Sequence, residues 1–387
     1  MVSVYYEKDY FNFVENKDRC SSLSRIECKD ELLDFLKKEP EKCNVVVMPD
    51  FFYDRLIDLD CDATSFSSTI ADIAKRKGGS IDGVKQTNIR GGNAINTASA
   101  LSALGLSVTP IVCTNRLGLK RIEFFLEKYC VDLSHVKIVE KASMTTALEL
   151  KTEIGKVNVM LRDLGGLSDF GPSDLTCYDY TLIENSDYIC LFNWAGTRKY
   201  GSELAESVFC RVKTRGKGKT YYDTADPTPN RERVPELIGE VLKNKVDVLS
   251  LNENEAVFYA SLLNDEASGQ IGKRRLEDLA MEAARILAEN LTARIDLHTT
   301  VFSATFSKNY EAVVPAFKVE ALRATGAGDS WNAGNIMADA NNLSDECRLT
   351  LANAVAAYYL SDPTGSHPTR LELIKFIERM LKPFQAE

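Results

Sequence analysis

Histidine is scarce in this chain, and its cysteines are dispersed. Three histidines and ten cysteines occur in 387 residues, and no two cysteines form a Cys-x-x-Cys pair. Because structural zinc sites draw on closely spaced cysteine and histidine ligands, this distribution disfavours a zinc centre. The cysteines are instead typical of free thiols in a reducing cytoplasm, where we expect the protein to reside.

Long apolar runs and an excess of positive charge are also lacking. No stretch has the length of a membrane span, and the first residues lack the basic and apolar regions of a signal peptide. Lysine and arginine total 47 against 56 aspartate and glutamate residues, which gives a formal net charge of −9. Such a surface disfavours nucleic acid and anionic membranes as partners. With 44% hydrophobic and 27% charged residues, the composition is that of a soluble globular enzyme.

What the chain does contain is a long alternation of strand-like and helix-like segments. Residues 44–49 form a β-branched run that predicts the first buried strand, and residues 1–43 before it predict an extension packed on the outside. The alternation is most regular between residues 188 and 291. It predicts an α/β fold with a doubly wound, mostly parallel sheet that spans residues 44–387 as one domain. Ligands of such sheets bind beyond the carboxyl ends of the strands.

Two strand-like runs stand apart from this alternation. Thr145 to Lys151 and Lys156 to Arg162 flank a short segment that contains Gly155. This pattern predicts a β-hairpin, and its place between helical regions indicates a small sheet that projects from the main body.

A glycine-rich turn late in the chain is the most informative stretch. The sequence Thr-Gly-Ala-Gly-Asp at residues 325–329 follows an apolar run, Ala312 to Val319, which we predict to be a strand, and precedes a helical pattern. A helix that starts after glycines offers unpaired backbone amides and a positive dipole end, which together bind anions. A carboxylate there would repel the anion unless it accepts a proton from a hydroxyl that attacks a phosphoryl group. Asp329 therefore has two interpretations, a general base or a helix N-cap.

Two further motifs favour the general base. A glycine–asparagine motif precedes a helix of small residues early in the chain, and an Asn-x-x-Glu motif follows a predicted strand. In this order the three motifs resemble the signatures of the ribokinase-like (PfkB) carbohydrate and nucleoside kinases, and the resemblance runs from about Asn44 to the C terminus. The motifs are Gly91-Gly92-Asn93-Ala94-x-Asn96, Asn252-Glu253-Asn254-Glu255 and Thr325-Gly326-Ala327-Gly328-Asp329.

The resemblance implies a catalytic centre with a nucleotide beside it. Asp329 would be the base, and the amides of Gly326, Ala327 and Gly328 would stabilise charge on the transferred phosphoryl group. ATP is the implied donor, and Glu255 would hold Mg²⁺ through water. The positions on the nucleotide side are Asn252, Glu255, His298, Thr325 and Asn353.

The resemblance also implies a pocket for the acceptor, which would offer a hydroxyl of a sugar, nucleoside or polyol. Amide side chains suit this task because they both donate and accept hydrogen bonds. Arg162, on the predicted hairpin, and Asn193, at the end of a predicted strand, are also implied to line this pocket. Taken singly, these residues also fit helix caps and solvated surface charges. The positions are Asp54, Gly92, Asn93, Asn96, Arg162 and Asn193.

The predicted hairpin resembles the lid of this family. A lid excludes water, which competes with the acceptor for the phosphoryl group. In many relatives the lids of two subunits pair, so a homodimer formed through the lid is the implied assembly. The lid segments would be residues 50–62, 84–90 and 145–162.

Two departures from the family pattern bear on the ligands. Phe52 stands where relatives place an asparagine, which fits either an acceptor with a flat or apolar part or a packing role. Asp296 and His298 stand where a threonine and a glycine are expected. An acid near donor phosphates is unfavourable unless it binds metal or ribose, and His298 can stack on or pair with a base, or be a buried histidine. ADP or another nucleotide is therefore the alternative donor to ATP.

The leading interpretation is a PfkB-type kinase. A phosphorylated or acidic sugar as the acceptor is the first alternative, and it rests on Arg90 and Arg162. A non-catalytic ligand-binding protein on the same fold is favoured by the altered segment 296–298 and opposed by the intact turn around Asp329. A dehydrogenase is least favoured, because the turn lacks the third glycine of the dinucleotide fingerprint.

Overall fold

The structure is a computed structural model that describes residues 28–129, 131–153, 155–263, 274–323 and 325–381. Its strands are β1 (Asn44–Met48), β2 (Phe52–Asp58), β3 (Lys85–Gly91), β4 (Ser107–Pro110), β5 (Cys113–Thr114), β6 (Lys137–Ile138), β7 (Ser143–Thr152), β8 (Gly155–Asp163), β9 (Tyr188–Phe192), β10 (Lys219–Asp223), β11 (Val248–Asn252), β12 (Arg294–His298), β13 (Phe302–Ser307) and β14 (Tyr310–Pro315).

The helices carry most of the remaining described chain. They are α1 (residues 28–37), α2 (Ala63–Lys75), α3 (Asn93–Ala103), α4 (Arg116–Leu126), α5 (Cys177–Asn185), α6 (Gly201–Arg215), α7 (Val234–Leu237), α8 (Glu253–Leu263), α9 (Leu276–Asn290), α10 (Ala327–Ala340), α11 (Asp345–Ser361) and α12 (Arg370–Met380). A π-helical turn, Ile238–Leu242, continues α7. None of the helices in the described ranges is long and apolar enough to cross a membrane.

The main sheet has eight strands in the order β14-β13-β12-β11-β10-β9-β1-β4. The six strands from β12 to β4 pair in parallel, whereas β13 and β14 are antiparallel. Alternate residues of β1 point to opposite sides, so Val46 and Met48 pack in one core cluster and Val45 and Val47 in another. Because helices cover both faces, β1 and β9 are apolar and buried over nearly their whole length. The predicted doubly wound, mostly parallel α/β fold is confirmed.

A second sheet of four strands, in the order β3-β2-β7-β8, contains the segments predicted to be a lid, and we refer to it as the lid. Strands β7 and β8 pair as the predicted hairpin, with Thr145 opposite Arg162. Strand β2 pairs in parallel with β7 of the hairpin and antiparallel with β3. Strand β3 ends directly before the start of α3. The lid is therefore directly continuous in sequence with the predicted acceptor motif at the start of α3.

The prediction of a strand from Ala312 to Val319 is wrong for its last four residues. Strand β14 stops at Pro315, which lacks a backbone N–H and so ends the pairing with β13. Residues 316–323 then run without a helix or strand to the glycine-rich turn. Strand β13 and helix α2, an exposed helix between the lid strands β2 and β3, had no counterpart in the sequence prediction.

The extension of residues 1–43 is described from residue 28 onward. Helix α1 buries Leu32 and Leu36 in the core cluster that also holds α3 and α12. Arg370 at the start of α12 donates to the carbonyl groups of Phe35 and Leu36, which fixes the end of α1. This helix is thus integrated with the main body rather than laid on its outside.

Candidate active site

The glycine-rich turn forms the N terminus of α10. Gly326 is the N-cap and adopts a left-handed conformation with φ of 85° and ψ of 1°. A Cβ at this position would lie 2.7 Å from the Tyr359 hydroxyl oxygen, so both the conformation and the space require glycine. The first helical residues are Ala327, Gly328 and Asp329, whose amides have no partner within the helix. The turn is partly exposed, as an anion-binding site must be.

Asp329 is the third residue of α10 and does not cap it, because Gly326 holds the N-cap position. The Asp329 carboxylate is buried and accepts a hydrogen bond of 2.9 Å from Asn96 Nδ2. Burial raises its pKa to about 8; the hydrogen bonds from Asn96 and Asn93 oppose this, and the negative charges of Asp223 and Asp50 add to it. The environment therefore gives this carboxyl group the proton affinity that a general base needs near neutral pH.

Asp50 organises the start of α3 beneath this carboxyl group. It is fully buried and accepts hydrogen bonds from the backbone amides of Asn93 and Ala94, at 3.0 and 2.9 Å, and from Asn193 Nδ2 at 2.8 Å. Gly92, with φ of 90°, brings the two segments together, since a Cβ there would lie 2.8 Å from the Asp50 carbonyl oxygen. Asn193 thus supports Asp50, and its Oδ1 accepts from the Gly196 amide.

Two buried oxygen atoms have no hydrogen-bond partner among the described residues: Asn96 Oδ1, on the side chain that donates to Asp329, and Asp54 Oδ1. Asp54 lies on lid strand β2 against Gly91, where a Cβ would overlap the carboxylate at 2.1 Å. Burial raises the pKa of Asp54 to about 6, although Thr145 and Arg162 oppose the rise. Buried acceptors without donors are costly, and hydrogen bonds from the hydroxyl groups of a ligand would offset that cost.

The two arginines considered from the sequence lie in different places. Arg162 is exposed on β8, with its guanidinium 5.0 Å from the centre of the Phe52 ring. Burial raises the pKa of Asp54 and of Asp50, and the charge of Arg162 opposes both shifts. Arg90 instead contacts the buried His367 ring, at 2.9 Å between Nη2 and Nδ1.

Asn252 and Glu255 form a reciprocal cap at the start of α8. Asn252 Oδ1 accepts from the Glu255 amide at 3.0 Å, and the Glu255 carboxylate accepts from the Asn252 amide at 2.9 Å. Glu255 is buried rather than a solvated surface charge. Burial and then the charge of Asp223 raise its pKa well above the ordinary range. Asp223, at the end of β10, is itself buried and held by Asn332 Nδ2 at 2.7 Å. This pair of mutually repelling carboxyl groups fits a cation in their vicinity.

His298 lies at the end of β12, directly opposite Asn252 at the end of β11. Its ring packs on Trp331 with centroids 5.0 Å apart. Asn353 lies behind Trp331: its Oδ1 accepts from Trp331 Nε1 at 3.0 Å, and its Nδ2 donates to the Pro315 carbonyl at 3.1 Å. Asn252 and His298 thus lie side by side at the ends of neighbouring strands, and Thr325 is partly exposed at the turn.

Asp296 does not face this site, which corrects the interpretation of an acid near the donor phosphates. Its carboxylate is fully buried and accepts hydrogen bonds from Arg294, from Arg348 at 2.9 Å, and from Thr305 at 2.6 Å. The two arginines hold the pKa of Asp296 below its ordinary value although burial opposes this. The residue is part of an internal ion network.

We expect Arg348→Met to reduce the free energy of unfolding by about 3–5 kcal/mol, because it leaves a buried carboxylate with one guanidinium fewer. Urea denaturation at pH 7 measures the change. Lys120→Met is the control, since its ion pair with Glu123 is exposed, and we expect a change of about 0.5 kcal/mol or less. Equal effects of the two substitutions would contradict a stabilising network.

The sequence analysis missed two residues that the structure places in the site. Asp50 accepts a hydrogen bond at the start of α3. The charge of Asp223 acts on both Asp329 and Glu255 and raises the pKa of each. A signal was present, because Asp50 comes two residues after β1 and Asp223 is the last residue of β10. Carboxylates at the carboxyl ends of parallel strands converge on the ligand crevice.

Comparison with known proteins agrees with this geometry. The family model of the pfkB family carbohydrate kinases matches residues 56–370. Ribokinase from Haemophilus influenzae is 24% identical over 293 residues, which cover 74% of this chain and 87% of that protein. The structure of adenosine kinase from Sinorhizobium meliloti has a TM-score of 0.64 at 15% identity, covering 88% of this chain and 99% of the other. A candidate ribokinase II from Escherichia coli in complex with ATP and Mg²⁺ has a TM-score of 0.65 at 13% identity and covers 88% of this chain and all of its own.

Since the family model spans most of the chain, this protein belongs to the pfkB family of carbohydrate kinases. The structural neighbours confirm the ribokinase fold.

Proposed function

We propose that this protein transfers the terminal phosphoryl group of a nucleotide, ATP by default, to a hydroxyl of a sugar, nucleoside or polyol, with Asp329 as the general base. One observation carries the proposal. The Asp329 carboxyl group lies in the first turn of α10, beside the free amides of Ala327 and Gly328, and has a pKa raised to about 8 by its burial. A base next to an anion-binding turn is what the attack of a hydroxyl on a phosphoryl group requires.

On the donor side, the amides of the turn would hold the transferred group, and Asn252, His298, Thr325 and Asn353 would border the nucleotide. Mg²⁺ would be held near Glu255 through water, because the neighbours that raise the Glu255 pKa are the carboxyl groups of Asp223, Asp226 and Glu253. The ion would neutralise charge on the phosphates. ADP as the donor is the alternative.

On the acceptor side, Asp54 Oδ1 and Asn96 Oδ1 would accept hydrogen bonds from hydroxyl groups of the substrate. Both are buried and lack a partner among the described residues, which supports a polyhydroxylated acceptor. Gly92 and Asn93 would form the floor of the pocket, and Asn193 would act through Asp50. The acceptor hydroxyl would then lie near Asp329, to which Asn96 donates.

A phosphorylated or acidic sugar is the second candidate for the acceptor, and Arg162 is the observation that favours it. Its guanidinium lies over Phe52 on the side of the lid that carries Asp54. It is exposed, so its charge remains available to an anionic group of a substrate that enters under the lid.

Location and assembly remain proposals of the same kind: a cytoplasmic enzyme whose residues 44–387 form the kinase domain and whose lids pair in a homodimer. Lid strands β7 and β8 expose apolar side chains, among them Met144, Val159 and Leu161, each with at least 46% of its surface accessible. Light scattering of the purified protein tests the dimer, and a monomer at micromolar concentration would contradict it.

A screen of sugars, nucleosides, polyols and sugar phosphates with ATP and ADP, read out as nucleotide turnover, tests the proposal. We expect acceptor-dependent turnover with at least one class. Tight binding of a compound by thermal shift, without turnover by either donor, would instead indicate a non-catalytic ligand-binding protein.

We expect Glu255→Gln to lower activity more at limiting than at saturating Mg²⁺, because it removes one negative charge near the water shell of the ion. The Mg²⁺ concentration that gives half-maximal rate measures the effect. Glu282→Gln is the matched control, since the Glu282 carboxylate lies in an exposed ion pair with Arg274 on the surface of α9. An unchanged Mg²⁺ dependence of Glu255→Gln would remove Glu255 from the metal site.

A further inference from the structure

His298, at the end of β12, is half-buried and packs against the glycine-rich turn. Its Cε1 lies 3.4 Å, and its Nε2 3.9 Å, from the point that a Cβ on Gly328 would occupy. The edge of the imidazole ring is therefore in contact with the backbone of the anion-binding turn. Trp331 covers the ring at a centroid distance of 5.0 Å and an interplanar angle of 37°. Trp331 thus covers one face of the ring, while the edge with Cε1 and Nε2 is turned toward Gly328.

Nε2 of this ring is buried and has no hydrogen-bond partner among the residues that the structure describes. An unpaired buried nitrogen costs about 1–3 kcal/mol, and a hydrogen bond to a ligand would offset that cost. Because Gly328 is the second residue of α10, the unpaired nitrogen lies beside the amides that are themselves free to bind an anion.

The charge state of the ring fits this task. Burial lowers the pKa of His298 to about 4, although Asp296 two residues earlier opposes the shift. The ring is thus neutral near pH 7, with one nitrogen as a donor and the other as an acceptor. A neutral N–H donates to a phosphate oxygen and adds no positive charge that would compete with Mg²⁺.

We propose that His298 binds the phosphates of the nucleotide donor, by a hydrogen bond from Nε2–H to an oxygen of the phosphoryl group held at the Gly328 amide. This inference rests on the proposed kinase function and deepens it, since it assigns the residue to the phosphates and not to the base. A glycine in this position could not make the contact.

Calorimetric titration of adenosine, ADP, ATP and inorganic tripolyphosphate into wild-type protein, His298→Ala and His298→Gln tests the assignment. We expect His298→Ala to weaken the binding of ADP, ATP and tripolyphosphate by about tenfold or more. The affinity for adenosine should stay unchanged, because only the phosphate contact is lost. Glutamine keeps an N–H donor, so His298→Gln should recover part of the affinity. His135→Ala, a histidine whose ring pairs with Asp179 at 2.7 Å, is the control and should bind all four like the wild type.

Equal weakening of adenosine and ATP would overturn the proposal and make His298 a contact to the base. Unchanged affinities in folded His298→Ala, checked by near-ultraviolet circular dichroism, would also overturn it. Both outcomes leave the kinase function intact, because wild-type binding and turnover are measured in parallel. Failure of the wild-type protein to bind any of the nucleotides would instead reject the proposed function together with this inference.

Discussion

Asp329→Asn is expected to fold normally, to bind nucleotide, and to lose about 10²–10⁴-fold in turnover. Asparagine has nearly the same size and keeps an oxygen, but it does not accept the proton that the attacking hydroxyl releases. The helix itself should not suffer, because its N-cap is Gly326 and not Asp329. Turnover with the substrate identified by screening, together with a melting curve, measures both effects.

The pH dependence gives a second readout of the same substitution. The pKa of Asp329 in the folded protein is about 8, above its ordinary value of 3.8, because burial disfavours the ionised form. The stability that the protonated group contributes is complete below its ordinary pKa and is lost as the pH rises toward and through 8. Asp329→Asn should therefore melt at least as high as the wild type at pH 8. Its residual rate should lack the rise with pH that the wild-type protein shows as the base ionises.

Asp179→Asn separates catalysis from the general effect of changing a buried aspartate. The Asp179 carboxylate pairs with His135 and Lys137 away from the site, and these contacts hold its pKa at about 2 despite burial. We expect this variant to lose stability and to keep its rate per folded molecule. Near-normal turnover of folded Asp329→Asn would reject Asp329 as the base.

Features set by local sequence were predictable. Apolar β-branched runs alternate with helical patterns, and this alternation predicted the parallel sheet. Two strand-like runs separated by a short turn predicted the β7–β8 hairpin. The turn at Gly326 was readable because few residues other than glycine adopt its left-handed conformation. The Thr369–Glu372 capping box of α12 was likewise visible in the spacing of two residues.

Features set by contacts between distant segments were not predictable. Asp296 pairs with Arg348, which lies 52 positions along the chain, and no local pattern distinguishes that buried ion pair from an acid facing a phosphate. Asp50 and Asn193 are 143 positions apart and meet only because β1 and β9 are neighbours in the sheet. The burial of Glu255 was also hidden, since Asn-x-x-Glu at a helix start is equally a capping box on the surface.

The remaining prediction concerns the shape of the turn. We expect Gly326→Ala to lower turnover by about 10²–10³-fold, the loss typical of removing a donor that stabilises transition-state charge. Alanine disfavours φ of 85°, and its Cβ would lie 2.7 Å from the Tyr359 hydroxyl oxygen. The chain has to rotate away, which redirects the amides of Ala327 and Gly328. The strain should also cost about 1–3 kcal/mol of stability.

Two further variants separate the causes. Gly239→Ala is the control for replacing a glycine, because a Cβ at this exposed position meets no atom within 4 Å, and both rate and stability should stay close to the wild type. Gly326→Ala combined with Tyr359→Ala removes the hydroxyl and ring atoms that the Cβ would meet at 2.7 to 3.0 Å, but keeps the backbone strain. Because the direction of the amides depends on the backbone, the turnover of the double variant should stay far below that of Tyr359→Ala alone. Full recovery of turnover in the double variant would show that steric crowding, and not the left-handed turn, sets the position of the amides.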